Sequence, residues 1–164
     1  MLKNIGYDRD KVLLYAQKWA FLRNPRYMNF DSLGGDCTNF ASQCIYAGSG
    51  VMNYTKDTGW YYNSPADRSA AWSGVEYLYK FLIGNNANRT GPYAVETEIS
   101  AAEPGDIVQL GDSSGKFYHS PVVINVSDTI YVAAHTFDSY MRPLYSYFFE
   151  KMRCIHIVNC RKWV

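Results

Sequence analysis

An excess of charge of either sign is missing from this chain: 16 Lys and Arg stand against 15 Asp and Glu, a formal net charge of +1 at pH 7. So small a balance gives no bulk field to gather nucleic acid or an acidic lipid surface, and specificity must come from a local site. Long apolar runs are missing too. No stretch approaches the roughly 20 apolar residues that a membrane-crossing helix requires, and Met1 to Asp10 carries no apolar core like that of a signal peptide. The domain is expected to be soluble, with any export or anchoring supplied by other segments of a longer protein. Cysteine is scarce: Cys37, Cys44, Cys154 and Cys160 are too scattered for a disulfide framework or a zinc ribbon. Cys37 and Cys44 would lie about two turns apart on a helix, out of reach of one disulfide. Cys154, His156 and Cys160 would share one side of a continuous strand, which could hold a metal. Ordinary packing is the expectation there, with no metal and no cofactor. There is no internal repeat, low-complexity tract or interdomain linker, so residues 1–164 are expected to form one domain.

What the chain does have is apolar and aromatic mass: 48% hydrophobic residues and 15 tyrosines, enough for a real core. From Tyr7 to Phe21 the apolar residues Val12, Leu13, Ala16 and Trp19 recur at helical intervals after Asp8, a plausible N-cap, and Pro25 closes the run. A polar loop from Asn29 to Asp36 follows. A second helix is expected from Cys37 through Phe40, Ala41, Cys44 and Ile45, ending at Gly48 to Gly50. Residues 51–73 look like an irregular aromatic insertion, and Ser73 with Glu76 has the pattern of a capping box opening a short helix. Beyond Pro104 the pattern changes to strands: Asp106 to Leu110, Pro121 to Val126, Thr129 to Ala134 and Arg153 to Val158. Helices first and strands afterwards imply an α+β domain, with N-terminal helices packed on a C-terminal antiparallel sheet.

The chemistry concentrates in Gly34-Gly35-Asp36-Cys37-Thr38-Asn39-Phe40. A glycine turn delivers a thiol to the first turn of a helix, where unpaired N–H groups and the helix dipole favour thiolate and can receive an oxyanion. Glycines just upstream would let a substrate backbone come close. Such a nucleophile needs a base, and there are three histidines. His119 precedes the apolar run Val122-Val123-Ile124, and His135 ends the next strand, so neighbouring strands could bring two imidazoles to one point.

The order Asp36-Cys37-Thr38, Pro104-Gly105-Asp106-Ile107-Val108 and His119 before a Val/Ile strand resembles the NlpC/P60 and CHAP group of papain-like cell-wall hydrolases. A closer resemblance, over nearly the whole length, is to the bacterial putative amidase domain family. It is carried by Tyr27-Met28-Asn29-Phe30, Gly35-Asp36-Cys37-Thr38-Asn39-Phe40-Ala41-Ser42-Gln43-Cys44, Trp72-Ser73-Gly74-Val75, and His135-Thr136-Phe137-Asp138 with Arg142-Pro143-Leu144. The resemblance implies a papain-like (NlpC/P60-like) fold and a cysteine hydrolase acting on amide bonds of peptidoglycan, extracellular or wall-associated as part of a longer protein. Cys37 matches the nucleophile and His119 the base. His135 fits the orienting third member, with Asp138 in reserve and Asn125 behind it.

Asp36, Asn29, Trp60 and Trp72 are the candidates for contact with substrate; the aromatic residues could equally pack the insertion onto the body, and Asp36 could cap the helix or tune the thiol. Cys44 and His156 are expected to be structural. A monomer acting on peptidoglycan or its peptide fragments is the expected state. Two alternatives stay open: acyl transfer or small-amide hydrolysis with the same residues, and a catalytically silent domain that binds wall fragments.

Overall fold

Asp8 starts the helical part of the chain as its spacing suggests. In a computed structural model describing residues 1–164, its carboxylate accepts from the Lys11 N–H at 3.1 Å, satisfying one of the free donors of a helix start. A short strand β1 (Leu2–Asn4) precedes this cap, and helix α1 (Arg9–Trp19) follows it. After the loop comes α2 (Cys37–Ser49), with Gly50 left-handed at its end. Every residue of α2 from Cys37 to Ile45 is buried, so this helix lies inside the domain. Gly48 permits that placement: a Cβ there would fall 2.5 Å from Val12 Cγ2 and 2.8 Å from the Asp8 carbonyl oxygen on α1.

The segment 51–73 is less irregular than its sequence suggests. It holds a two-stranded hairpin, β2 (Tyr62–Ser64) and β3 (Asp67–Arg68), and then a one-turn helix α3 (Ala70–Ser73). Helix α4 (Val75–Gly84) follows with Gly74 at its N-cap, so Ser73 ends one helix rather than capping the next. Glu76 is correspondingly free to pair with Arg153 at 2.9 Å.

The remaining elements are strands: β4 (Gly91–Thr97), β5 (Ile107–Gly111), β6 (Phe117–His119), β7 (Val122–Val126), β8 (Ile130–Ala134), β9 (Ser139–Pro143) and the long β10 (Lys151–Trp163). With β1 they form one eight-stranded sheet in the order β1-β10-β5-β7-β8-β9, with β4 added to β10 and β6 to β5. All pairings are antiparallel. The domain is α+β, as expected, but β1, β4, β6 and β9 were not anticipated, and β10 runs past Val158 at its C-terminal end.

Successive residues of the central strands serve different cores. Val122 and Ile124 of β7 join the main cluster with α1 and α2, whereas Val123 joins Val108, Leu110, Val132 and Leu144 in a smaller one. A sheet covered on both faces is why Val122-Val123-Ile124 is continuously apolar instead of alternating. Cys154 and Cys160 are buried free thiols, and His156 Nδ1 bonds Asp106 at 2.9 Å in a cluster with Arg9 and Glu103. Arg9 pairs with both carboxylates of that group, Asp106 at 2.9 Å and Glu103 at 3.7 Å.

Candidate functional site

The turn before α2 depends on glycine. Gly34 and Gly35 have φ of +95° and +107°, values that cost L-residues energy. Against Gly35 sits Thr136, whose Oγ1 would lie 3.2 Å from an added Cβ and which accepts the Asp36 N–H at 3.0 Å. The open side of Gly35 thus faces the protein's own hairpin between β8 and β9. That hairpin turns through Thr136 and Phe137, both with positive φ of 62° and 58°. Non-glycine residues in this region cost about 1–2 kcal/mol each. The strain seats Thr136 on the Asp36 amide and leaves Phe137 86% exposed.

Cys37 opens α2 with 7% of its surface exposed. Its Sγ lies 3.8 Å from Thr38 Oγ1 and 3.9 Å from the Tyr118 carbonyl oxygen. Burial raises the thiol above its ordinary value, against lowering by the Thr38 hydroxyl and by the Ser120 and Thr38 N–H groups; the Asp36 charge raises it further. The resting group is therefore a thiol, and a base must take its proton. Beneath it a polar chain fixes the backbone: Thr38 Oγ1 and Ser120 Oγ are 3.1 Å apart, and Gln109 Nε2 donates to Ser120 Oγ at 3.1 Å. Arg153 holds Gln109 Oε1 through Nε at 2.9 Å and Nη2 at 2.7 Å. Thr38 stands in the motif around Cys37, but Gln109 and Ser120 give no warning in the sequence, because their contacts depend on strands distant in the chain meeting α2.

Tyr118 and Ser120, which border the thiol, bracket His119 at the end of β6. His119 is buried, and its Nε2 has no hydrogen-bond partner. Burial, with the nearby Arg142 charge, lowers its pKa from 6.5 to about 4, so the imidazole is neutral and able to accept a proton at physiological pH. A buried polar atom left without a protein or water partner costs about 1–3 kcal/mol, and a ring nitrogen in this state keeps its lone pair or its proton available to a neighbour. The Tyr147 ring packs on His119 with centroids 5.1 Å apart.

His135 has other work. Its Nδ1 meets Asp36 Oδ2 at 2.5 Å, its Nε2 meets the Trp19 carbonyl oxygen at 2.8 Å, and its ring stacks on Phe40 with centroids 4.0 Å apart. With both nitrogens engaged it does not orient His119. Asp138 does not either, since Arg23 takes both its carboxylate oxygens at 2.9 Å. Asn125 Oδ1 accepts from Ser127 Oγ at 2.7 Å in the turn after β7.

Asp36 is fully buried, which removes it from substrate contact. Burial alone would raise its pKa, yet hydrogen bonds from His135, Asn39 Nδ2 and the Phe30 N–H hold the carboxyl below its ordinary value. It joins the Phe30 loop, α2 and the end of β8. Trp60 and Trp72 do not line a groove. Both are fully buried, with ring centroids 4.8 Å apart, and their Nε1 atoms donate to Ser42 Oγ at 3.0 Å and Asn39 Oδ1 at 2.9 Å. Apolar area of this size belongs inside once each N–H has found a partner. Asn29 is exposed, and its Oδ1 accepts the Asp31 N–H at 2.9 Å. A surface cavity of about 320 Å³ beside Tyr77, Lys80 and Arg89 lies away from the thiol.

The fold and this site define an α+β domain with a thiol at the start of a buried helix and an unbonded imidazole presented from the sheet. Residues 6–158 match the family described as "Putative amidase domain", and the chain belongs to it. It is 34% identical over 143 residues to uncharacterized protein YhbB of Bacillus subtilis (strain 168), a match covering 83% of this chain and 43% of that protein. No solved structure matches the chain. The chain thus aligns with less than half the length of that relative.

Proposed function

We propose that this domain is a papain-like cysteine amidase that cleaves an amide bond of peptidoglycan. Membership of a family named for amide chemistry supports the reaction class. The observation that carries the cysteine mechanism is the join of two elements: Cys37 at the start of α2 packs on the backbone either side of His119, whose Nε2 has no partner.

In this mechanism His119 takes the Cys37 proton and the thiolate attacks the amide carbonyl. Unpaired N–H groups of the first turn of α2 stabilise the oxyanion. The C–N bond breaks as His119 passes its proton to the leaving amine, and water then hydrolyses the thioester and restores the thiol. The susceptible bond is one in a stem peptide or that between muramic acid and L-alanine. Such substrates place the domain at the cell wall, as part of a longer protein. Because the nucleophile is a thiol, activity should survive chelators.

Purified peptidoglycan digested with the wild type and with Cys37→Ala, followed by mass analysis of the released fragments, tests this function. Fragments from the wild type alone identify the bond and support the nucleophile. Equal release by Cys37→Ala would contradict it.

A further inference from the structure

The site as described lacks an orienting group for its base. His135, Asp138 and Asn125 are bonded elsewhere, and no hydrogen bond reaches His119 Nε2. One side chain with a polar tip packs on the imidazole, that of Tyr147, which lies just past the turn after β9. Its ring is inclined at 58° to the His119 ring, and its hydroxyl is buried with Ser139 and Arg142 as polar neighbours but no well-formed hydrogen bond to either. Two buried polar atoms, neither with a well-formed hydrogen bond, on rings whose centroids lie 5.1 Å apart are each other's nearest candidates to complete the bonding; catalytic hydrogen bonds are often long before substrate binds. The guanidinium of Arg142 lies 3.5 Å from the centre of the Tyr147 ring and is tied to Ser146 Oγ by an Nε bond of 2.9 Å, which holds the phenol in place.

We propose that Tyr147 is the positioning residue of His119: its hydroxyl oxygen accepts from Nε2–H and fixes the tautomer in which Nδ1 is free to take the Cys37 proton. This rests on the assignment of Cys37 and His119 above. The phenol proton has an outlet, since Ser139 borders the hydroxyl and its Oγ, donating to the Phe137 carbonyl at 2.8 Å, retains lone pairs to accept. The hydrogen-bond directions are therefore consistent from the imidazole to the backbone. As charge develops on the imidazole during proton transfer, the bond to Tyr147 strengthens.

The test compares wild type with Tyr147→Phe, which keeps the ring and deletes the hydroxyl, using long-range proton–nitrogen NMR of 15N-histidine-labelled protein. His119 is assigned from His119→Asn. In the wild type at pH 7 it should show the Nε2–H tautomer, and in Tyr147→Phe a mixture. On wall fragments kcat should fall about 5–10-fold with KM unchanged, the effect of losing one hydrogen bond made in the transition state. Unmoved His135 and His156 signals would show that the fold is intact. An Nδ1–H tautomer in the wild type, or the same tautomer in Tyr147→Phe, would overturn the proposal. The rate of Cys37 alkylation by iodoacetamide separates the two levels. If His119→Asn leaves that rate unchanged, the proposed base is wrong as well; if it slows alkylation while the Tyr147→Phe tautomer is unchanged, only the role of Tyr147 fails.

Discussion

His119 ends β6 and His135 directly follows β8, and both are buried, yet the protein treats them in opposite ways. His135 is saturated: a carboxylate on one nitrogen, a backbone carbonyl on the other and an aromatic face against its ring. Through Asp36 it ties the start of α2 to the sheet and to the end of α1. His119 lacks a hydrogen bond at Nε2, and its neighbours depress its basicity. The contrast teaches that burial alone does not make a histidine structural. A ring whose hydrogen bonds are complete contributes stability, whereas an enclosed ring with an unmet nitrogen is available for chemistry.

Exchanging the two losses should break this comparison most clearly. His119→Asn should lower amide cleavage by about 10²–10⁴-fold, the usual contribution of a general base, while its melting temperature at pH 7 stays close to that of the wild type. His135→Leu should do the reverse. It leaves Asp36 buried without its main partner, a loss of about 3–5 kcal/mol that thermal melting would register, and molecules still folded at low temperature should retain activity.

Acid should sharpen the same contrast. His119 falls from 6.5 to about 4 on folding, so between these values the unfolded chain binds more protons than the folded one. Stability is therefore full above about 6.5 and declines as pH falls toward 4, by about 3 kcal/mol in all. The His135–Asp36 pair acts lower down: a carboxyl held below its ordinary 3.8 keeps its contribution above that value and loses it as pH falls through the folded pKa. Denaturant midpoints measured from pH 7 to pH 4 should fall in the wild type and stay flatter in His119→Asn. The smallest effect concerns Arg142, whose charge opposes protonation of His119. Arg142→Met should move the acidic limb of the pH–rate profile upward by roughly half a unit, an amount expected for one nearby, partly screened charge.

Much of this arrangement was legible in the chain. Asp8, Gly34, Gly35 and Gly50 mark their turns by chemistry that acts over a few residues, and α1 and α2 follow from apolar spacing. The strands β5, β7 and β8 are short apolar runs between turn residues and were anticipated nearly to the residue. What escaped depends on distant partners. The strand β4, rich in polar residues toward its C-terminal end, exists because β10 pairs with it from Cys154 to Arg161. Trp60 and Trp72, with Pro65 between them and no helical or strand period, are seated in the core with bonds to Ser42 and Asn39 on α2. The strand ends did place two histidines near α2, but only the structure shows Asp36 claiming one of them. Tyr147 was hidden because it lies outside any regular element, among other exposed aromatic residues.

The proposed mechanism requires that Cys37 become covalently acylated during turnover. Intact-mass analysis of the protein mixed rapidly with purified wall fragments, followed by peptide mapping, tests it directly. A transient adduct equal to the acyl part of the substrate is expected on the peptide containing Cys37, absent from Cys37→Ala. Turnover that proceeds without such an adduct, and that persists in Cys37→Ala, would contradict it.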